Sequence, residues 1–262
     1  MSSLPRLAQP ELLQMAASAE AADETRPQSD IGKSTGARTR AGRTSEAVSR
    51  PSRESIFVRP IRVEGVPQAD PNPAWVVAPR RRMVYLWEGG SSDGTRSLAG
   101  RVAAIAEVHF HAWRTAYRGL LPDDLLARLS VDDREESWRR ILENTGGESF
   151  TLVAIDIEQQ LVGFCTVAAP GRDEDTGEQT TEVAATYVDP RQWRSGIGSD
   201  LLIAAISRLH ADGWRDAVLW VFGDNARARA FYAEFGFQPD GFETMHDWAG
   251  GQTAIRLRAL LA

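Results

Sequence analysis

The chain has 262 residues, enough for one large domain or for one ordinary domain with an extension. Its formal net charge of −6, with Lys33 as the only lysine, argues against a nucleic-acid partner, because phosphate contacts need clustered Lys and Arg. A hydrophobic content of 42% allows a sizeable core, and the single Cys165 excludes an internal disulfide framework.

The N-terminal residues lack a signal-peptide pattern, since Glu11, Gln14 and Glu20 interrupt the one apolar segment there. No apolar run approaches the roughly 18 residues that span a bilayer. These features predict a cytoplasmic protein with no membrane partner. Residues 1–54 are rich in Ser, Thr, Ala, Arg and Pro and nearly free of aromatics, which predicts a disordered extension. The string Gly32-Lys33-Ser34 is no phosphate loop, because Pro27 stands where its first glycine is required.

Residues 55–82 read as an irregular segment punctuated by Pro67, Pro71, Pro73 and Pro79. The main domain is taken as 83–262, with a first strand at 83–87. Leu98, Val102, Ile105, Val108 and Trp113 recur at helical spacing, giving a helix to about residue 116. A second helical region covers 122–143, opened by Pro122. Strands at 150–156 and 160–168 form a hairpin, and a further strand follows at 182–188. A glycine turn leads into a helix at 198–211, then a strand at 217–222, a helix at 226–235, and closing strands at 237–247 and 253–260. This order indicates a mixed α/β (α+β) sheet.

The turn Arg191-Gln192-Trp193-Arg194-Ser195-Gly196-Ile197-Gly198-Ser199 joins a strand to a helix N-terminus. Free main-chain N–H groups and the positive end of the helix dipole make such a place an anion site. Glycines let phosphate oxygens approach without a Cβ in the way. The same pattern also serves as a plain tight turn. It is no dinucleotide fingerprint, because Leu201 replaces the third glycine.

Trp193-Arg194-Ser195-Gly196-Ile197-Gly198 resembles the cofactor loop [Gln/Arg]-x-x-Gly-x-[Gly/Ala] of the GNAT superfamily of N-acetyltransferases, departing from it at Trp193. The run from Asn225 through Ala226, Ala228, Phe231 and Tyr232 to Gly236-Phe237 resembles that family's N-x-x-A-x-x-F-Y-x-x-x-G-F helix. The stretch from His111 to Pro122 is similar to the first helix and loop of many bacterial members. The resemblance covers about 97–261. It implies a central, mostly antiparallel sheet flanked by helices and splayed between strands 4 and 5, with acetyl-CoA inserted there. Backbone groups near Val188 would then pair with the pantetheine amides. Arg194, Ser195, Gly196, Ile197, Gly198 and Ser199 would wrap the diphosphate, and Asn225 would cap its helix and touch the cofactor.

The reaction so implied is direct attack of a primary amine on the thioester in a ternary complex, with no metal. The acceptor is a small molecule or a peptide or protein N-terminus, and a homodimer is left open. An alkylamine of pKa about 10.4 must first lose a proton, at roughly 4 kcal/mol near pH 7. Glu182, on the strand before the turn, is the candidate base; its plain alternative is an ordinary surface glutamate on a half-exposed strand. Tyr232 is the candidate acid for the departing sulfur, and a packed helix aromatic is the alternative. Trp113 and Tyr117, i and i+4 on one helix face, could line the acceptor pocket or pack in the core. His109 and His111 point to different faces, against a metal site. The run Asp173-Glu174-Asp175 reads as a solvated loop or a lure for a cationic acceptor, and Cys165 as a buried small hydrophobe. A different class of protein, an acyl-CoA-binding regulator without turnover, would not need Tyr232.

Overall fold

A computed structural model describes residues 76–78, 82–87, 98–144, 148–171, 173 and 176–261. Residues 1–54, with their predicted disorder, lie outside the described residues. The described chain forms one eight-stranded sheet in the order β1-β2-β3-β4-β5-β6-β8-β7. Its strands are β1 Val76–Ala78, β2 Arg82–Trp87, β3 Phe150–Ile155, β4 Leu161–Ala168, β5 Thr180–Val188, β6 Asp216–Phe222, β7 Gln238–His246 and β8 Gln252–Leu260. Every neighbouring pair is antiparallel except β5 with β6. Strand β1 lies inside the segment read as irregular. Its three residues pair with β2 at the sheet edge, where a proline-flanked strand is tolerated. The strands expected as fourth and fifth are therefore β5 and β6.

Helices cover both faces. On one face lie α1 (Leu98–Ala116), α2 (Asp123–Arg128) and α3 (Val131–Asn144); on the other lie α4 (Ile197–Ala211) and α5 (Ala226–Glu234). No helix among the described residues is long and apolar enough to cross a membrane. Because both faces are covered, β3 reads as a nearly continuous apolar run. Leu152 and Ala154 pack toward α4, and Val153 packs toward α1 and α3.

The single helical region expected at 122–143 is two helices. Leu129 is extended (ψ 134°), and the Ser130 hydroxyl accepts the Asp133 N–H at 3.1 Å. Ser130 starts a new helix as its N-cap, a choice short polar side chains make because they satisfy an orphan donor.

One irregularity positions the site. Val183 pairs with Val167 and Ala185 with Thr166, so Ala184 is an extra residue in β5. Val183 accordingly packs with α4 while Ala185 packs with α1 and α3. Such a bulge bends and twists its strand. Strands β5 and β6 pair only from Thr180↔Asp216 to Glu182↔Val218 and then diverge. A V-shaped gap opens beyond Glu182.

Candidate active site

The far side of β5 stays hydrogen-bonded to β4, so its gap-facing edge can be assigned. The Asp189 N–H donates to the Val162 carbonyl at 2.9 Å, which makes Gly163↔Val188 a non-hydrogen-bonded pair. The N–H and C=O of Val188 therefore face the gap, and by alternation so do those of Thr186. This unpaired edge can accept an extended ligand as a further strand would. The Trp193 indole N–H donates to the Val188 carbonyl at 2.9 Å, leaving the Val188 N–H available to a ligand. The departure from the family pattern at Trp193 thus has a structural use.

At the mouth of the gap the chain turns into α4. Arg194 (φ 62°) and Gly196 (φ 92°) both adopt left-handed backbone, so Gly196 suits the tighter position at no steric cost. Gly196 is the N-cap of α4 and provides no side-chain cap. The N–H groups of Ile197, Gly198 and Ser199 thus open toward the mouth at the positive end of the helix. Ile197 is buried, whereas Arg194 and Gly196 are exposed. Ser195 turns its hydroxyl to the Gln192 carbonyl, which stiffens the turn. The start of α4 also depends on Gly163, where a Cβ would lie 3.0 Å from Ile197 Cγ2.

Across the gap stands α5. Asn225 caps it by accepting the Ala228 N–H at 3.1 Å. Tyr232 is partly exposed, and its phenol meets Thr186, with Cys165 and Tyr187 nearby. Burial of that hydroxyl raises the Tyr232 pKa beyond its ordinary 10.0, so the phenol is protonated at neutral pH. Cys165 is fully buried, as read, and burial pushes its thiol up to about 11.

Glu182 is 2% exposed and so is not the ordinary surface glutamate of the alternative reading. It occupies the last closed rung between β5 and β6, one residue before Val183. Since Val183 packs toward α4, Glu182 faces the opposite side of the sheet, that of α1.

That side is aromatic. Trp113 is buried in the core, and its indole N–H donates to the Tyr187 hydroxyl at 2.9 Å. Tyr117 packs edge-on to Trp113 and interacts with Tyr187 and Tyr232. Burial raises both the Tyr117 and the Tyr187 phenol. Beneath them the Arg134 guanidinium lies 4.9 Å over the Trp113 ring, lowered to about 10 by burial, and its terminal nitrogens have no hydrogen-bond partner among the described residues. His109 accepts the Trp138 indole N–H at 3.0 Å, and burial holds its pKa well below 6.5, so the ring is neutral. Asp173 is no solvated charge: it accepts from the Trp220 indole and the buried Arg256 guanidinium, each at 3.0 Å. Sequence reading passed over Tyr187, Thr186, Gly163 and Arg227. Only tertiary pairing brings them to the gap.

The profile of the Acetyltransferase (GNAT) family matches residues 106–237. The uncharacterized N-acetyltransferase YuaI of Bacillus subtilis is 31% identical over 122 residues, covering 46% of this chain and 66% of its own. A mycothiol acetyltransferase of Actinosynnema mirum is 27% identical over 189 residues, covering 61% of this chain and 62% of its own. The chain thus spans just under two thirds of the length of these curated relatives. Among solved structures, a GCN5-related N-acetyltransferase from Kribbella flavida superposes with a TM-score of 0.52 at 18% identity, over 70% of this chain and 100% of that one. An N-acetyltransferase from Staphylococcus aureus Mu50 gives 0.50 at 18% identity, over 69% and 99%. These likenesses carry the same fold, a sheet with helices on both faces. With the family profile matching half of its length, the chain belongs to the GNAT family of acetyltransferases.

Proposed function

We propose that this protein is an acetyl-CoA-dependent N-acetyltransferase whose acceptor is a primary amine. The observation that carries the reading is the gap between β5 and β6. It joins an unpaired strand edge, an uncapped helix N-terminus at its mouth and a protonated phenol along its wall. Each part suits one portion of acetyl-CoA: amides for the edge, diphosphate for the helix end, sulfur for the phenol. Two relatives named as acetyltransferases support the same reading.

Acetyl-CoA, when bound, supplies the acyl group as a thioester. The Thr186 and Val188 main chain holds the pantetheine arm against β5. The N–H groups of Ile197, Gly198 and Ser199, with Arg194, neutralise the diphosphate, and Asn225 fixes the first turn of α5 beside it. Glu182 takes the proton that the ammonium must lose, directly or through water. Tyr232 donates a hydrogen bond to the sulfur as negative charge builds there. Tyr117 and Trp113 hold the acceptor side, Trp113 acting through Tyr187.

Release of free thiol from acetyl-CoA, measured against a panel of amines, tests the proposal. Amine-dependent release with acetylated product supports it. Tight CoA binding without release on any amine points instead to an acyl-CoA-binding regulator.

A further inference from the structure

Residues that follow the two diverging strands meet again across the mouth of the gap. Trp193 follows β5 and is pinned by its hydrogen bond to Val188. Arg227 follows β6, in the first turn of α5, and its guanidinium carbon lies 3.5 Å from the centre of the Trp193 ring. Stacking of this kind uses the flat face of the guanidinium and leaves its in-plane N–H donors free. Partial burial lowers the Arg227 pKa, and Arg194 is close enough for the two charges to repel and lower it further. Among the described residues, neither arginine has an ion pair. Arg191, Arg256 and Arg258, by contrast, are each matched by an aspartate. Two like charges gathered beside an uncapped helix N-terminus raise the energy of the empty site and lower it once an anion arrives.

We propose that Arg227, seated on Trp193, is a second cationic arm for the diphosphate of CoA, reaching it from the α5 side while the α4 turn holds it from the other. The inference rests on the nucleotide reading above and assigns a binding role to a residue outside the glycine turn. Trp193 is its platform. The indole that satisfies the Val188 carbonyl also orients the guanidinium over the mouth, so the departure at this position and Arg227 work as one unit.

The test uses the full chain as wild type, Arg227→Leu and Arg227→Lys. Dissociation constants are measured by calorimetry for CoA and for dephospho-CoA, which lacks the 3′-phosphate, and turnover is measured with S-acetylpantetheine, which lacks the nucleotide and the diphosphate. Far-UV circular dichroism checks that the variants fold. Arg227→Leu is expected to weaken CoA and dephospho-CoA alike by about tenfold or more, the size of one charge-assisted contact. S-acetylpantetheine turnover stays within about twofold, and Arg227→Lys falls between. Unchanged affinities in Arg227→Leu overturn the inference. So does a loss confined to CoA, which would move the contact to the 3′-phosphate. An equal loss with S-acetylpantetheine also overturns it, because the arginine would then merely hold the gap in shape. A wild type that binds none of the three ligands removes the nucleotide reading and this inference together.

Discussion

In the proposed reaction Tyr232 and Glu182 divide the proton chemistry, and their surroundings make different demands on experiment. A thiol of pKa about 8.5 is a weaker base, as thiolate, than the phenolate of a buried tyrosine. The role proposed for Tyr232 is therefore to stabilise the leaving sulfur by hydrogen bonding, with solvent completing its protonation. Tyr232→Phe should lower kcat about 100-fold while the CoA dissociation constant stays within about twofold, as read by steady-state kinetics and calorimetry. Equal losses in both would mean that the ring only packs. Since burial raises this phenol above 10.0, wild-type kcat should show no decline from its ionisation up to that pH. For Glu182→Gln, the deficit should depend on the acceptor. At pH 7 the loss in kcat/KM should be about 100-fold, and it should shrink as pH rises toward the amine's own pKa, where less proton remains to be taken. A deficit constant with pH would remove Glu182 from the proton path.

At the level of elements, the bulge at Ala184 and the packing of α4 on β4 together set the gap. Gly163 allows the close approach: a Cβ there would meet Ile197 Cγ2 at 3.0 Å and the Tyr187 carbonyl oxygen at 3.1 Å. Gly163→Ala should destabilise the fold by about 1–3 kcal/mol, the usual size of overpacking, and weaken CoA binding because Ile197 begins the turn proposed to hold the diphosphate. Thermal melts and CoA titrations check both parts; an unchanged affinity would mean that the turn is set independently of β4. What the sequence made legible was local. The glycine turn, the Asn225 cap and the run through Tyr232 are each set by neighbouring residues, so they could be placed on their elements. The break at Ser130 rests on a single cap inside a continuous helical pattern, and was missed. The main-chain orientation of Thr186 and Val188 depends on register with β4, and the seat of Arg227 on Trp193 joins residues across the sheet. Neither leaves a short-range pattern to read. Asp173 looked solvated because its partners, Trp220 and Arg256, come from other strands.

The molecule as a whole carries a pH signature from its buried groups. His109 is held neutral, so unfolding lets it take a proton below its ordinary 6.5; the stability it contributes is present above that pH and is lost on acidification. Cys165 is raised to about 11 from 9.0; its contribution is complete below 9.0 and is lost as pH climbs between the two values, with the buried tyrosines acting in the same direction. Denaturant unfolding should therefore give a stability plateau between about pH 7 and 9 that falls on both sides; a stability still rising above pH 9 would contradict the burial described. The GNAT-family unit is expected to be self-contained. Deleting residues 1–75, upstream of β1, should leave CoA affinity within about twofold, and an insoluble product would place part of that segment in the folded unit. The most direct measurement of the central claim is a crystal structure grown with saturating CoA. It should place the diphosphate on the main-chain N–H groups of Ile197, Gly198 and Ser199, the pantetheine along Thr186 and Val188, and the sulfur beside Tyr232. Density for CoA elsewhere, or none at that concentration, would contradict it.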